Sequence, residues 1–174
     1  TSFHSWKLVV MNSSRPHSLP RFAADVEALT HLTLRVFRTH GALLQWGDKL
    51  VEPLGLSSAR WQMLGSIALA GRPLTAPQVG EAMGVTRQGA QKQLNLLLES
   101  GLVSSHANPA HRRSPLYELT PRGRQLYLRA EKLWAARAAE LAARIPPAQI
   151  HAARETLDTM LRHLTPPDPS GETP

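Results

Sequence analysis

Residues 84–101 read GVTRQGAQKQLNLLLESG, a helix-length run between two glycines whose opening half is polar and basic and whose closing half is almost wholly aliphatic. Thr86 is placed to cap the helix, and Gly101 to close it just past Ser100. Leu94, Leu97 and Leu98 fall on one stripe that must be buried. The helix is therefore anchored by its second half, while its first turns, loaded with Thr, Arg, Gln and Lys, are spared from the core. A chain that builds this helix needs a surface for those turns to meet.

The segments on either side restrict the choice further. Ser57 or Ser58 caps a helix from about Ala59 to Ala70, with Trp61, Leu64, Ile67 and Ala68 on one stripe, and Gly71-Arg-Pro stops it. Thr75 caps a short helix with Pro77 in its first turn, where a missing N–H costs nothing, and with Val79, Ala82 and Met83 facing inward until Gly84 ends it. After Gly101, Leu102-Val103 and Leu116-Tyr-Glu-Leu119 read as the two strands of a hairpin whose long tip is SSHANPAHRRSP.

Long amphipathic helices flank this middle part. Phe22, Leu29, Val36, Leu43 and Leu50 recur every seven residues, with Val26, Leu32 and Trp46 on the same side. Gly41 and Gly47 predict a bend or break in the last turns of that helix. Thr120-Pro121 opens another helix, to about Arg144, with Leu126, Ala130, Leu133 or Trp134, Leu141 and Ile145 inward. Pro146-Pro147 breaks it, and the last helix carries Ile150, Ala153, Leu157, Met160, Leu161 and Leu164.

The expected fold is mainly α with a small β-hairpin wing. A winged helix-turn-helix over 57–119 is flanked by dimerisation helices over 22–52 and 121–164, in a single regulator domain over 22–164. Residues 1–21 are expected to be flexible, with 1–10 either an added leader or upstream of an alternative start at Met11, and the Pro-rich 165–174 to be a disordered tail. The flanking helices carry more apolar stripe than one small winged domain can cover, which points to a homodimer.

Charge places the function. The chain carries a net +7, and Arg87, Lys92, Arg112, Arg113, Arg122 and Arg124 against Glu99 and Glu118 put more than half of it between 85 and 124. Double-stranded DNA is the expected partner. In a winged helix-turn-helix the helix after the tight turn enters the major groove by its N-terminal turns. There Arg87 can bond guanine, Gln88 and Gln91 can read adenine, and Lys92 can reach a base or phosphate. Gly89 and Ala90 are expected to permit close approach. Thr86 is placed for a phosphate, helped by the free N–H groups of the helix start. Arg112 and Arg113, at the hairpin tip, are expected in the adjacent minor groove or on its phosphates.

These residues resemble the MarR-type (multiple antibiotic resistance) winged-helix transcriptional regulators. The likeness rests on GVTRQGAQKQLNLLLESGLV from Gly84, NPAHRRSPLYELTPRG from Asn108 and LSSARWQMLGSIA ahead of them, and extends over about 22–164. Gln93, where the family often has an apolar residue, and Ala110-His111, where an acidic tip residue is common, depart from it. The resemblance implies a homodimeric transcriptional regulator, a repressor by preference, released by a small-molecule effector in a cleft for which Trp46, Trp61 and Met63 are candidate walls.

Other classes fit less well. Without cysteine there is no disulfide, thiolate metal site or thiol sensing, and a cytoplasmic protein is expected. The eight histidines show no ligand spacing, so no metal and no cofactor are expected; His106 and His111 read as solvated loop residues. No phosphate loop, nucleophile elbow or paired carboxylates point to an enzyme. No apolar run is long enough to span a membrane, and the basic residues do not lie opposite a lipid-seeking stripe. The alternative reading is a winged-helix dimerisation or protein-docking module without specific DNA readout, which would not need Arg87, Gln88, Gln91, Lys92, Arg112 and Arg113 together.

Overall fold

The computed structural model describes residues 23–164, so the expectations for 1–21, Phe22 and 165–174 lie outside the described residues. Its elements, in chain order, are α1 (Ala24–Val51), a 3-10 turn (Glu52–Leu54), α2 (Ser58–Ala70), β1 (Leu74–Thr75), α3 (Ala76–Met83), α4 (Arg87–Glu99), β2 (Val103–His106), β3 (Leu116–Leu119), α5 (Pro121–Ala142) and α6 (Pro147–Leu164). The chain divides into two compact units, Thr1–Leu43 and Leu44–Pro174.

In the first unit the described residues are the N-terminal part of α1. Asp25 and Glu27 in its first turn complement the positive end of the helix dipole. Its apolar residues Val26, Leu29, Leu32, Leu34 and Phe37 stay exposed.

The second unit holds the core. Met63 and Leu64 of α2, Val79 of α3, and Leu94 and Leu97 of α4 are fully buried, joined by Val51, Val103, Tyr117 and Ala130. The helix starts expected from sequence are built as caps. Ser57, Thr75, Thr86 and Thr120 each accept a backbone N–H of the first turn through the side-chain oxygen, and Thr75 closes a full capping box with Gln78. Tyr127 packs into the same core, where burial, and then the neighbouring Glu131, push its phenol above the ordinary tyrosine range.

Four expectations are corrected. Neither Gly41 nor Gly47 breaks α1, whose helical turns continue to Val51. Gly47 serves packing instead: a Cβ there would lie 2.7 Å from Ser58 Oγ, and the next residue, Asp48, accepts the Ser58 N–H at 2.6 Å, fastening the start of α2. Ala82 faces solvent, and Ala76 and Gly80 take the inward positions on α3. The hairpin is part of a three-stranded antiparallel sheet, order β1-β3-β2, because Leu74 and Thr75 pair with Tyr117 and Leu116. Finally, His106 is the last residue of β2 and not a loop residue.

Candidate nucleic-acid interface

The turn between α3 and α4 is tight because three local features agree. Gly84 takes a left-handed φ of 63°, which closes α3 at no steric cost. The Val85 N–H donates to Gly80 O at 2.9 Å. A Cβ on Gly80 would meet Val85 O at 2.9 Å and Ala90 Cβ at 3.6 Å, so only glycine lets the two helices approach this closely.

The start of α4 is then fixed by Thr86, whose Oγ1 accepts the Gly89 N–H at 3.0 Å. Its hydroxyl proton is left to donate outward. Behind the helix, Ala90, Leu94 and Leu97 are wholly buried. Ala90 was expected beside DNA; one residue after Gly89 the helix has already turned that position into the core, where its methyl packs toward Gly80.

The opposite face is polar. Arg87, Gln88 and Lys92 are exposed, Gln91 is half-buried, and together with Asn95 they line one shallow, open concavity along α4. The sequence-derived readers are thus brought onto one face. Gln91 differs from the others: its Nε2 donates to Asn95 Oδ1 and to Tyr117 Oη, both at 2.8 Å. Asn95 and Tyr117 are the site residues that sequence reasoning missed. The i, i+4 spacing of Gln91 and Asn95 and the inward alternation of Leu-Tyr-Glu-Leu were the available signals.

The wing is organised by Asn108. Its Nδ2 donates to Ser114 O at 3.0 Å and its Oδ1 accepts the Ala110 N–H at 3.1 Å, while Ser114 N donates to His111 O. The tip is a folded turn that displays Arg112 and Arg113, both exposed. Among the described residues the only acid–base contacts are Glu27 with His31, His106 with Glu118 and Arg137 with Glu140, so no acid braces the tip arginines. Beneath the tip, His106 Nε2 and Glu118 Oε1 lie 2.6 Å apart across the strands.

The three cleft candidates separate. Met63 is 1 % exposed and belongs to the core. Trp61 is half-buried and Trp46 exposed; the rings of both approach Trp134, at centroid distances of 6.1 and 5.7 Å.

A sequence model described as MarR family matches residues 54–114, from the end of the 3-10 turn to the wing tip. An uncharacterised protein of Mycobacterium tuberculosis is 35 % identical over 135 residues, which cover 78 % of this chain and 93 % of that protein. The chain belongs to the MarR family. Among solved structures, the MarR-family transcriptional regulator from Silicibacter pomeroyi superposes with a TM-score of 0.68 at 26 % identity, over 83 % of this chain and 97 % of that one. The M. tuberculosis transcriptional regulator MosR, in complex with DNA, gives 0.63 at 25 % identity, over 75 % and 96 %. Both of these neighbours are transcriptional regulators, and the matched residues 54–114 take in the DNA-binding helix-turn-helix and the wing tip of this chain. Among the described residues, no helix is long and apolar enough to cross a membrane.

Proposed function

We propose that this MarR-family chain is a homodimeric, sequence-specific repressor that binds double-stranded DNA at a pseudo-palindromic operator. The observation that carries the proposal is the division of α4. Its back is locked in the core by Ala90, Leu94 and Leu97, and its front offers Arg87, Gln88 and Lys92 to solvent without an acidic partner among the described residues. Arg87 suits guanine O6/N7, Gln88 suits adenine, and Lys92 adds a base or phosphate contact. Thr86, through its free hydroxyl proton, and the wing residues Arg112 and Arg113 supply phosphate contacts, which position the protein without specifying sequence.

Dimerisation is supported by the apolar residues that the protomer leaves in water, including Ile150, Leu157, Leu161 and Leu164 on α6. A two-fold dimer sets two reading helices about 34 Å apart, one turn of DNA. Repression by promoter occupancy and release by a small-molecule effector are part of the reading through family membership. Trp46 and Trp61 are the aromatic surface such an effector would use.

Selection of bound duplexes from a random library at physiological salt tests the proposal. An enriched inverted repeat with half-sites one turn apart is the expected result. Retention without a motif would replace sequence reading by shape reading, and no retention would favour a dimerisation or protein-docking module.

A further inference from the structure

Both amide N–H groups of Gln91 are committed to other side chains, which changes what the reading face can offer to DNA. A glutamine that reads adenine bidentately needs its carbonyl oxygen and an amide N–H at once. Gln91 spends both N–H groups elsewhere, one on Asn95 Oδ1 and one on Tyr117 Oη.

Tyr117 is a fixed point. It sits on the central strand β3, paired with Leu74 on one side and Ser105 on the other, and is 2 % exposed. No buried side-chain nitrogen or oxygen among the described residues lacks a partner, so Gln91 Oε1, which has none, opens to solvent. Asn95 is exposed and keeps its Nδ2 hydrogens free.

We propose that Tyr117, Gln91 and Asn95 form a relay that holds the amides of the reading face in place, with Tyr117 as a positioning residue and Asn95 as a further specificity-determining residue. The buried phenol oxygen accepts one Gln91 N–H and anchors that amide, which donates its second N–H to Asn95 Oδ1. The face then shows an acceptor at Gln91 Oε1 and a donor at Asn95 Nδ2, four residues further along the helix. An acceptor at Gln91 matches an exocyclic amino group of cytosine or adenine. A donor at Asn95 matches guanine O6/N7, adenine N7 or thymine O4. Because Tyr117 belongs to the wing strand, the same bond ties the reading helix to the wing.

The inference rests on the sequence-specific reading above, and one experiment separates the two. The full chain and its Tyr117→Phe, Gln91→Ala and Asn95→Ala variants are put through the random-duplex selection, with salt-dependent binding to non-specific DNA measured in parallel. Tyr117→Phe keeps the ring, so the fold and non-specific affinity are expected to stay unchanged while discrimination falls about tenfold at the base pairs read by Gln91 and Asn95. Asn95→Ala should flatten the preference at its own base pair. Gln91→Ala should flatten both pairs, whereas an independent reader would lose one. An unchanged preference profile for Tyr117→Phe, or a Gln91→Ala profile altered at a single pair, overturns the relay. Should Tyr117→Phe fail to fold, the Gln91→Ala and Asn95→Ala profiles decide the matter alone. If the unsubstituted chain enriches no motif, sequence-specific reading itself fails and the relay falls with it.

Discussion

At the residue scale, the proposed interface divides side chains that would read DNA from side chains that hold the helix. Arg87 is exposed at the first position of α4 and has no acidic partner among the described residues, so its guanidinium is available for a bidentate contact. Arg87→Ala is expected to cost about 1–3 kcal/mol of specific binding and to relax preference at one base pair. Arg112→Ala should weaken binding to all sequences alike and lower the slope of log affinity against log salt by about one, the loss of one phosphate contact. Titration against operator and non-specific duplexes at several salt concentrations distinguishes the two effects; two silent substitutions would contradict the docking geometry. Thr86 belongs to both classes, since its oxygen caps the helix and its proton is free. Thr86→Ala should therefore lower unfolding stability by about 1 kcal/mol, seen in a denaturant midpoint, and weaken binding as well. Thr86→Ser keeps the hydroxyl and should restore both.

At the element scale, the reading helix is only as well placed as the turn before it. A methyl on Gly80 would press on the carbonyl of Val85, which is backbone and cannot rotate away. Gly80→Ala is expected to cost about 1–3 kcal/mol through overpacking, and thermal unfolding checks it; a variant as stable as the parent would mean that the turn is softer than its contacts imply. Much of this element was legible in sequence, because Thr86, Gly84 and the Leu94, Leu97, Leu98 stripe are local signals that tertiary contacts did not override. What was not legible depended on partners distant in the chain. Leu74 and Thr75 are two residues with no periodicity, and they form a strand only because β3 offers an edge. Gly47 read as a helix breaker because its packing partner, Ser58, lies across a turn that sequence spacing does not reveal. The same holds at the site. The sequence placed Gln91 on the outer face, yet its bond to Tyr117 crosses 26 residues, and the strand alternation that turns Tyr117 inward does not say which side chain it meets.

At the scale of the whole molecule, reading a pseudo-palindrome requires two copies, and the apolar residues left exposed on α6 are where a second copy can repay its association. None of the residues of α6 is buried, although Leu157, Leu161 and Leu164 lie on one side at spacings of four and three. In a two-fold interface each residue enters twice. Leu161→Lys therefore removes about 3–6 kcal/mol of apolar burial, at about 1.5–3 kcal/mol per leucine, and moves the dimer dissociation constant by roughly two to four decades. Because Leu161 is exposed in the protomer, the substitution should leave the circular dichroism spectrum unchanged. Sedimentation at micromolar concentration is expected to show monomers where the parent shows dimers, and operator affinity should fall to that of a single half-site. A Leu161→Lys protein that stays dimeric and binds its operator normally would move the dimer seam away from this face of α6.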